Sequence, residues 1–233
     1  MTLWDACGNR LLVVLEQADD ARLLGANGTA ARCFHGRERV ADGVAWFAPR
    51  DGFHRMAFFN PDGTDERLCG NGLLIAAAVL GGESGALLHP FDHPPVQVRH
   101  VDGRVEANAR VPLSRRASSA GPIFDTGSPH LVLEHNGPDG LDLAPFARPL
   151  VDSLDANVTL YRLDGDVATV RTFERGVNAE TLACGTGALA VAFALERPVE
   201  VRYPGGTYRA HAERQGAHVR WTLSTAADGV RPA

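Results

Sequence analysis

Hydrophobic and polar positions alternate along this chain in short runs separated by turn signals, and only two stretches lose the alternation. Residues 10–16 (RLLVVLE), 44–48 and 56–59 predict strands, the last closed by the turn Asn60-Pro61-Asp62-Gly63. The character changes at 70–80. There GNGLLIAAAVL puts glycines ahead of good helix formers and predicts a loop entering a buried helix that stops at Gly81-Gly82. Alternation resumes over 96–109, with a hairpin signal at Asp102-Gly103. A Ser-, Arg- and Ala-rich stretch, 112–122, marks a boundary that divides the chain into 1–115 and 116–233. The second half repeats the plan: strands expected at 130–134, 157–162 and 167–173, a helix at 187–195, then strands at 199–203, 207–212 and 219–223. The turn Pro204-Gly205-Gly206 separates the first two of that last group. The expected class is α+β, as two lobes in tandem.

The repeat is visible residue by residue. ERLCGNGLLIAAAVL (66–80) and TLACGTGALAVAFAL (181–195) share C-G-x-G-x-L-x-x-A-x-x-L, with Cys69 and Cys184 lying 115 residues apart in corresponding places. Duplication accounts for this and predicts two lobes facing each other across a pseudo-twofold cleft.

Composition narrows the classes. The chain has 233 residues, 45% hydrophobic and 22% charged, which suits a folded globular protein and excludes disordered and fibrous classes. A net charge of −5 with no Arg-rich aromatic stretch argues against nucleic acid as a partner. The longest apolar runs are eight residues, against the roughly 20 of a membrane span, so no membrane contact is expected. All 23 basic residues are arginine. Without lysine there is no internal aldimine of pyridoxal phosphate, no Schiff-base aldolase and no P-loop. The four cysteines are too few and too scattered for a disulfide scaffold, and the first residues lack the basic-then-apolar pattern of a signal peptide. A cytoplasmic setting with reduced thiols is expected.

Each repeated cysteine precedes G-x-G at a predicted helix start, where unpaired backbone N–H groups and the helix dipole favour negative charge. Such a place is expected to lower a thiol pKa. Backbone donors of Gly70, Asn71 and Gly72 on one side, and of Gly185, Thr186 and Gly187 on the other, form a site for one carboxylate. The carbon beside that carboxylate then lies between two sulfurs, where a thiolate can take a proton from one face while a thiol delivers one to the other. A disulfide between the two cysteines is the redox alternative, and the Cys and His spacings do not suit zinc.

These residues carry a resemblance. F-N-P-D-G-T-D-E-R-L-C-G-N-G (59–72) and E-R-G-V-N-A-E-T-L-A-C-G-T-G (174–187) are similar to the two signatures of the diaminopimelate epimerase family. Gly8-Asn9, A-D-G-V (41–44), T-G-S-P-H (126–130), Asn157-Val158 and P-G-G (204–206) match in the family's order. The resemblance implies two pseudo-symmetric lobes, each a curved, mostly antiparallel sheet around a central helix, and a two-base mechanism with neither cofactor nor metal. It implies that Cys69 and Cys184 are the acid/base pair and that Gly70, Asn71, Gly185 and Thr186 clamp the α-carboxylate. It places His130 and Glu174 near the reacting amino group, and Asn9, Asn60, Ser128, Asn157 and Arg175 on the substrate. Arg175 suits a bidentate grip on a distal carboxylate; the alternatives are a salt link between lobes for Arg175 and turn or cap roles for the asparagines. The implied partner is a small amino acid, LL- or meso-diaminopimelate, and a homodimer is the default assembly.

The chain also departs from the family. Leu73-Leu74-Ile75 stand where A-R-C is usual, Arg10-Leu11 where Asp-Phe is usual, and Ser128 where asparagine is common. Residues 37–40 lack the family's glycines, and 224–227 lack its G-P-A. These changes touch the substrate more than the chemistry. They leave a racemase of another amino acid, such as histidine, as the alternative; a non-catalytic amino-acid-binding module needs neither of the two cysteines.

Overall fold

The computed structural model describes residues 1–15, 25–82, 85–90, 92–137 and 140–233. The first half runs β1 (Thr2–Ala6), β2 (Asn9–Leu15), α1 (Gly25–Cys33), a small hairpin of β3 (Phe34–His35) and β4 (Glu38–Arg39), then β5 (Gly43–Arg50), β6 (Phe53–Phe59), β7 (Asp65–Glu66), α2 (Gly70–Ala76), β8 (Ala86–Pro90), β9 (Val96–Val101) and β10 (Arg104–Pro112). β11 (Ser114–Ala117) ends the first half, and the second runs β12 (Pro122–Asp125), β13 (Pro129–Glu134), α3 (Leu143–Leu154), β14 (Asn157–Asp164), β15 (Val167–Glu174), β16 (Ala179–Thr181), α4 (Gly185–Leu195), β17 (Val199–Tyr203), β18 (Gly206–Gln215), β19 (His218–Ala226) and β20 (Val230–Pro232).

Strand pairing repeats in order. In the first half β1–β2 is antiparallel, β2–β5 parallel across α1, β5–β6 and β6–β7 antiparallel, β6–β8 parallel across α2, and β8–β9–β10 antiparallel. The second half makes the same sequence of pairings from β12 to β19, with α3 and α4 in the two parallel crossovers. Parallel neighbours need such crossovers, and helices supply them. The last strands of the two halves, β10 and β19, pair antiparallel over nine residues, from Arg104↔Ala226 to Pro112↔His218. Each half also holds one strand from the other end of the plan: β11 pairs with β12, and the C-terminal β20 with β1. The fold is mixed α+β, two pseudo-symmetric lobes of curved, mostly antiparallel sheet around central helices.

Burial explains the central position of α2 and α4. Every residue of α2, and every residue of α4 from Gly185 to Phe193, is buried, as expected of helices apolar all round. Both belong to one core with the inward-facing strand residues, such as Leu11 and Val13 of β2. Leu12 and Val14 of the same strand point outward into a second core with Cys33 of α1. On α3, Leu143, Ala147 and Val151 recur every four residues and join a third core with Val158 and Leu160.

Some boundaries differ from the sequence reading. The helix expected over 70–80 ends as an α-helix at Ala76 and continues as a wide π turn, Ala77–Gly81, before Gly82 at φ 46°. The 112–122 boundary stretch is not only connection, because it contains β11. The alternation does not predict β1, and Glu16, the expected end of the 10–16 strand, lies outside the described residues. α3 escaped the pattern because Pro149 stands in its interior, where proline removes a helical hydrogen bond. The hairpin at Asp102-Gly103 is present, with φ of 51° and 68° suited to a type I′ turn. Among the described residues no helix is long and apolar enough to cross a membrane.

Where α2 and α4 begin, their backbones touch. A Cβ on Gly70 would lie 2.7 Å from the Gly185 backbone, and one on Gly185 2.8 Å from the Gly70 Cα. We expect Gly70→Ala to destabilise the protein by about 1–3 kcal/mol through overpacking. Gly28→Ala on α1, where nothing lies within 4 Å, should be neutral or gain about 0.5–1 kcal/mol. Urea-denaturation midpoints measure both; equal midpoints for the two variants would contradict the contact.

Candidate active site

Cys69 and Cys184 are the N-caps of α2 and α4, with nearly the same extended backbone: φ −121°, ψ 114° and φ −135°, ψ 111°. Each sulfur accepts a hydrogen bond from the backbone N–H three residues on, Gly72 and Gly187, both at 3.4 Å. The repeat in sequence is therefore a repeat in geometry. Both thiols face one narrow cavity of about 40 Å³, room for about three waters. Asn9, Asn60, Gly70, Asn71, Ser128, Asn157, Gly185 and Thr186 line it, as does Glu174.

Asparagines fix the cavity walls. Asn9 and Asn71 both donate to the carbonyl of Ala183, the residue before Cys184, so the first half holds the second half's cysteine in place. The Tyr208 hydroxyl donates to Asn71 Oδ1 at 2.6 Å. Asn157 accepts from the Arg175 backbone N–H at 2.8 Å and donates to Ser128 Oγ at 2.8 Å. Asn60 donates to Thr64 Oγ1 within its turn, besides lining the cavity.

Two expected site residues stand back from the cavity. His130 is fully buried behind Thr186, its Nε2 3.0 Å from Thr186 Oγ1 and its Nδ1 2.9 Å from Thr159 Oγ1. The Asn157 amide also donates to Nε2 at 3.2 Å, so Nε2 is an acceptor and Nδ1–H donates to Thr159. Beyond Thr159 the hydrogen bonds continue through Thr172 to the Tyr203 hydroxyl. On the other side Thr186 Oγ1 lies 3.4 Å from Cys184 Sγ. One buried chain thus joins the thiol to the core. Arg175 is the lobe-bridging salt link: its guanidinium contacts Glu66 at 2.8 Å and Asp155 at 2.6 Å. Burial disfavours its charge, yet these carboxylates hold its pKa above the ordinary value.

Burial also overturns the expected thiol acidity. The helix-start N–H donors lower both thiols, but desolvation, aided by the charge of Glu174, outweighs them. Cys69 is pushed up to about 12 and Cys184 well above its ordinary range. Burial likewise raises the Glu174 carboxyl to about 7, against hydrogen bonds from Thr181 and from Cys184. All four cysteines are free thiols. Among the described residues no group of three or more His, Cys, Asp and Glu is placed to hold a metal ion. The departure at 73–75 does not reach the site, since Leu73, Leu74 and Ile75 are wholly in the core.

Sequence reasoning missed four contributors. Glu66 and Asp42 line the cavity from inside quoted motifs, the first signature and A-D-G-V. Tyr208 and Tyr203 occupy apolar positions of alternating strands, and that pattern gives no sign of where a hydroxyl points.

Burial pushes His130 down to about 3. With the unfolded value near 6.5, the unfolded chain takes up this proton first as pH falls, so native stability is lost between about pH 6.5 and 3. Between pH 7 and 4.5 the loss attributable to His130 is about 2–3 kcal/mol. Glu174 works in the opposite direction, because its raised pKa favours the native state at low pH. Denaturation of His130→Gln beside the parent at both pH values isolates the histidine. A flatter acid limb in the variant is expected; an identical loss in both would exclude this origin.

No family model matches the chain. Relatives do. The chain is 32% identical over 186 residues to the diaminopimelate epimerase of Thermotoga maritima, covering 73% of this chain and 78% of that one. It is 31% identical to the diaminopimelate epimerase of Thermobifida fusca, covering 94% and 81%. Among solved structures, a protein of Pseudomonas aeruginosa described as a predicted epimerase superposes with a TM-score of 0.70 at 16% identity, covering 100% and 96%. A phenazine biosynthesis PhzC/PhzF protein of Clostridium difficile superposes with 0.63 at 13%, covering 96% and 95%. At these identities the superpositions speak for the fold. The relatives, sharing about a third of their residues over most of both chains, speak for more: the chain belongs to the diaminopimelate epimerase family and is an isomerase of the epimerase and racemase type.

Proposed function

We propose that the protein inverts the α-carbon of an amino acid by proton transfer between Cys69 and Cys184, without a cofactor. The observation that carries this reading is the matched pair of N-cap thiols on one cavity. An α-carboxylate lying across the two helix starts meets backbone N–H groups from both. One cysteine, as thiolate, takes the α-proton: the C–H bond breaks, an S–H bond forms, and the electron pair passes toward the carboxylate. The opposite thiol gives its proton to the other face of the carbon and becomes the thiolate. Backbone donors stabilise the carbanion, and a dry cavity strengthens each of them.

The raised thiol pKa values fit this role. A thiolate with a high pKa is a strong base, and an arriving α-ammonium offsets the burial and the neighbouring carboxylates that hold the thiols neutral. Glu174 lies on the same cavity wall, where its carboxylate can pair with the arriving α-ammonium. The cavity holds only a few waters, so a bound substrate would displace them and leave the reacting carbon largely out of solvent. The names of the relatives make LL- and meso-diaminopimelate the first substrates to consider. The pairing of Arg175 with Glu66 favours the second reading, the same chemistry on another amino acid. Retention of both cysteines speaks against a silent binding module.

In D₂O, proton NMR should show early product carrying deuterium at the α-carbon while recovered substrate keeps its proton. Cys69→Ala and Cys184→Ala should each lower turnover by about 10³-fold or more with circular dichroism unchanged. Turnover surviving in either variant would refute the two-base scheme.

A further inference from the structure

The end of the cavity expected to receive a distal carboxylate already contains one, supplied by the protein. Glu66 comes from β7, three residues before Cys69, and its side chain is only 13% exposed. It lines the cavity and also occupies the Arg175 guanidinium, whose other contact is Asp155. Among the described residues, the ionisable groups on the cavity wall are Asp42, Glu66, Glu174 and the two cysteines, with no arginine or histidine. A ligand's α-carboxylate needs no side-chain cation here, because the starts of α2 and α4 supply backbone donors. The other ionisable side chains on the wall are carboxylates, Asp42 paired with Arg39 and Glu66 with Arg175 from outside the cavity.

We propose that Glu66 is a specificity-determining residue and that the substrate is an amino acid whose side chain ends in a cation, not in a second carboxylate. This rests on the two-cysteine reading above and gives it a substrate class. A distal carboxylate would face Glu66 and would have to share Arg175 with it, with no other cation among the described residues of the wall to receive it. A distal ammonium or guanidinium meets Glu66 directly and is balanced by the remaining carboxylates.

The test is α-proton exchange in D₂O with L-lysine, L-ornithine, L-arginine and L-histidine beside LL-diaminopimelate and L-glutamate, with calorimetric titration of the same panel. At least one cationic amino acid should show a kcat/KM tenfold or more above both dicarboxylates. In Glu66→Gln, which leaves Arg175 paired with Asp155 alone, that ratio should fall at least tenfold. Faster exchange of diaminopimelate or glutamate than of every cationic substrate in the unaltered protein would overturn the assignment, as would an unchanged ratio in a folded variant. Absence of exchange with the whole panel would instead refute the two-cysteine reading. Calorimetry then decides the specificity separately: tighter binding of cationic amino acids supports it, while tighter binding of diaminopimelate, or no binding at all, overturns it.

Discussion

Contact between two glycine backbones sets the position of every group in the active site. Where Gly70 and Gly185 meet, no side chain fits, and α2 and α4 approach start to start. The unpaired N–H groups of both helices then open on the same small volume, and the residue before each helix, a cysteine, is brought to its edge. The sheets exist around this contact. Each curls over one buried helix, and the β10–β19 pairing keeps the two helix starts facing each other. Asn9 and Asn71 add a polar fastening from the first half to the Ala183 carbonyl of the second.

The same closeness creates an electrostatic conflict. Helix starts favour anions, yet the volume is so enclosed that burial wins, leaving neutral thiols, a neutral His130 and a Glu174 that titrates near neutrality. Substrate charge is the missing counterweight. A cavity walled by carboxylates and primed with backbone donors is complementary to an amino acid as a whole, one negative group against the helix starts and positive groups elsewhere.

Much of this was legible in the sequence because it rests on local rules. Period-two alternation located most strands of the sheet, Asp102-Gly103 its hairpin, and the C-G-x-G repeat both helix starts. What escaped depended on contacts made at a distance. α3 packs well enough to tolerate Pro149, a residue that argues against a helix when read locally. A helix start read alone implies an acidic thiol, and burial between the two halves reverses the sign. Arg175 reads as a ligand for substrate until Glu66, 109 residues away, is found on its guanidinium. His130 reads as a member of the site, and the fold places it one layer behind, where it holds Thr186.

The terminal strands carry a last consequence. β11 leaves the first half to pair with the second, and β20 leaves the second to pair with the first, with Ala233 N–H donating to the Leu3 carbonyl. Topologically, the chain is a strand-swapped twofold dimer closed by one peptide connection. A true homodimer must place the same residue on both sides of its axis. This chain need not: Asn71, held by Tyr208, stands opposite Thr186, held by His130. Covalent linkage lets two nearly equivalent halves present different side chains to the one cavity between them.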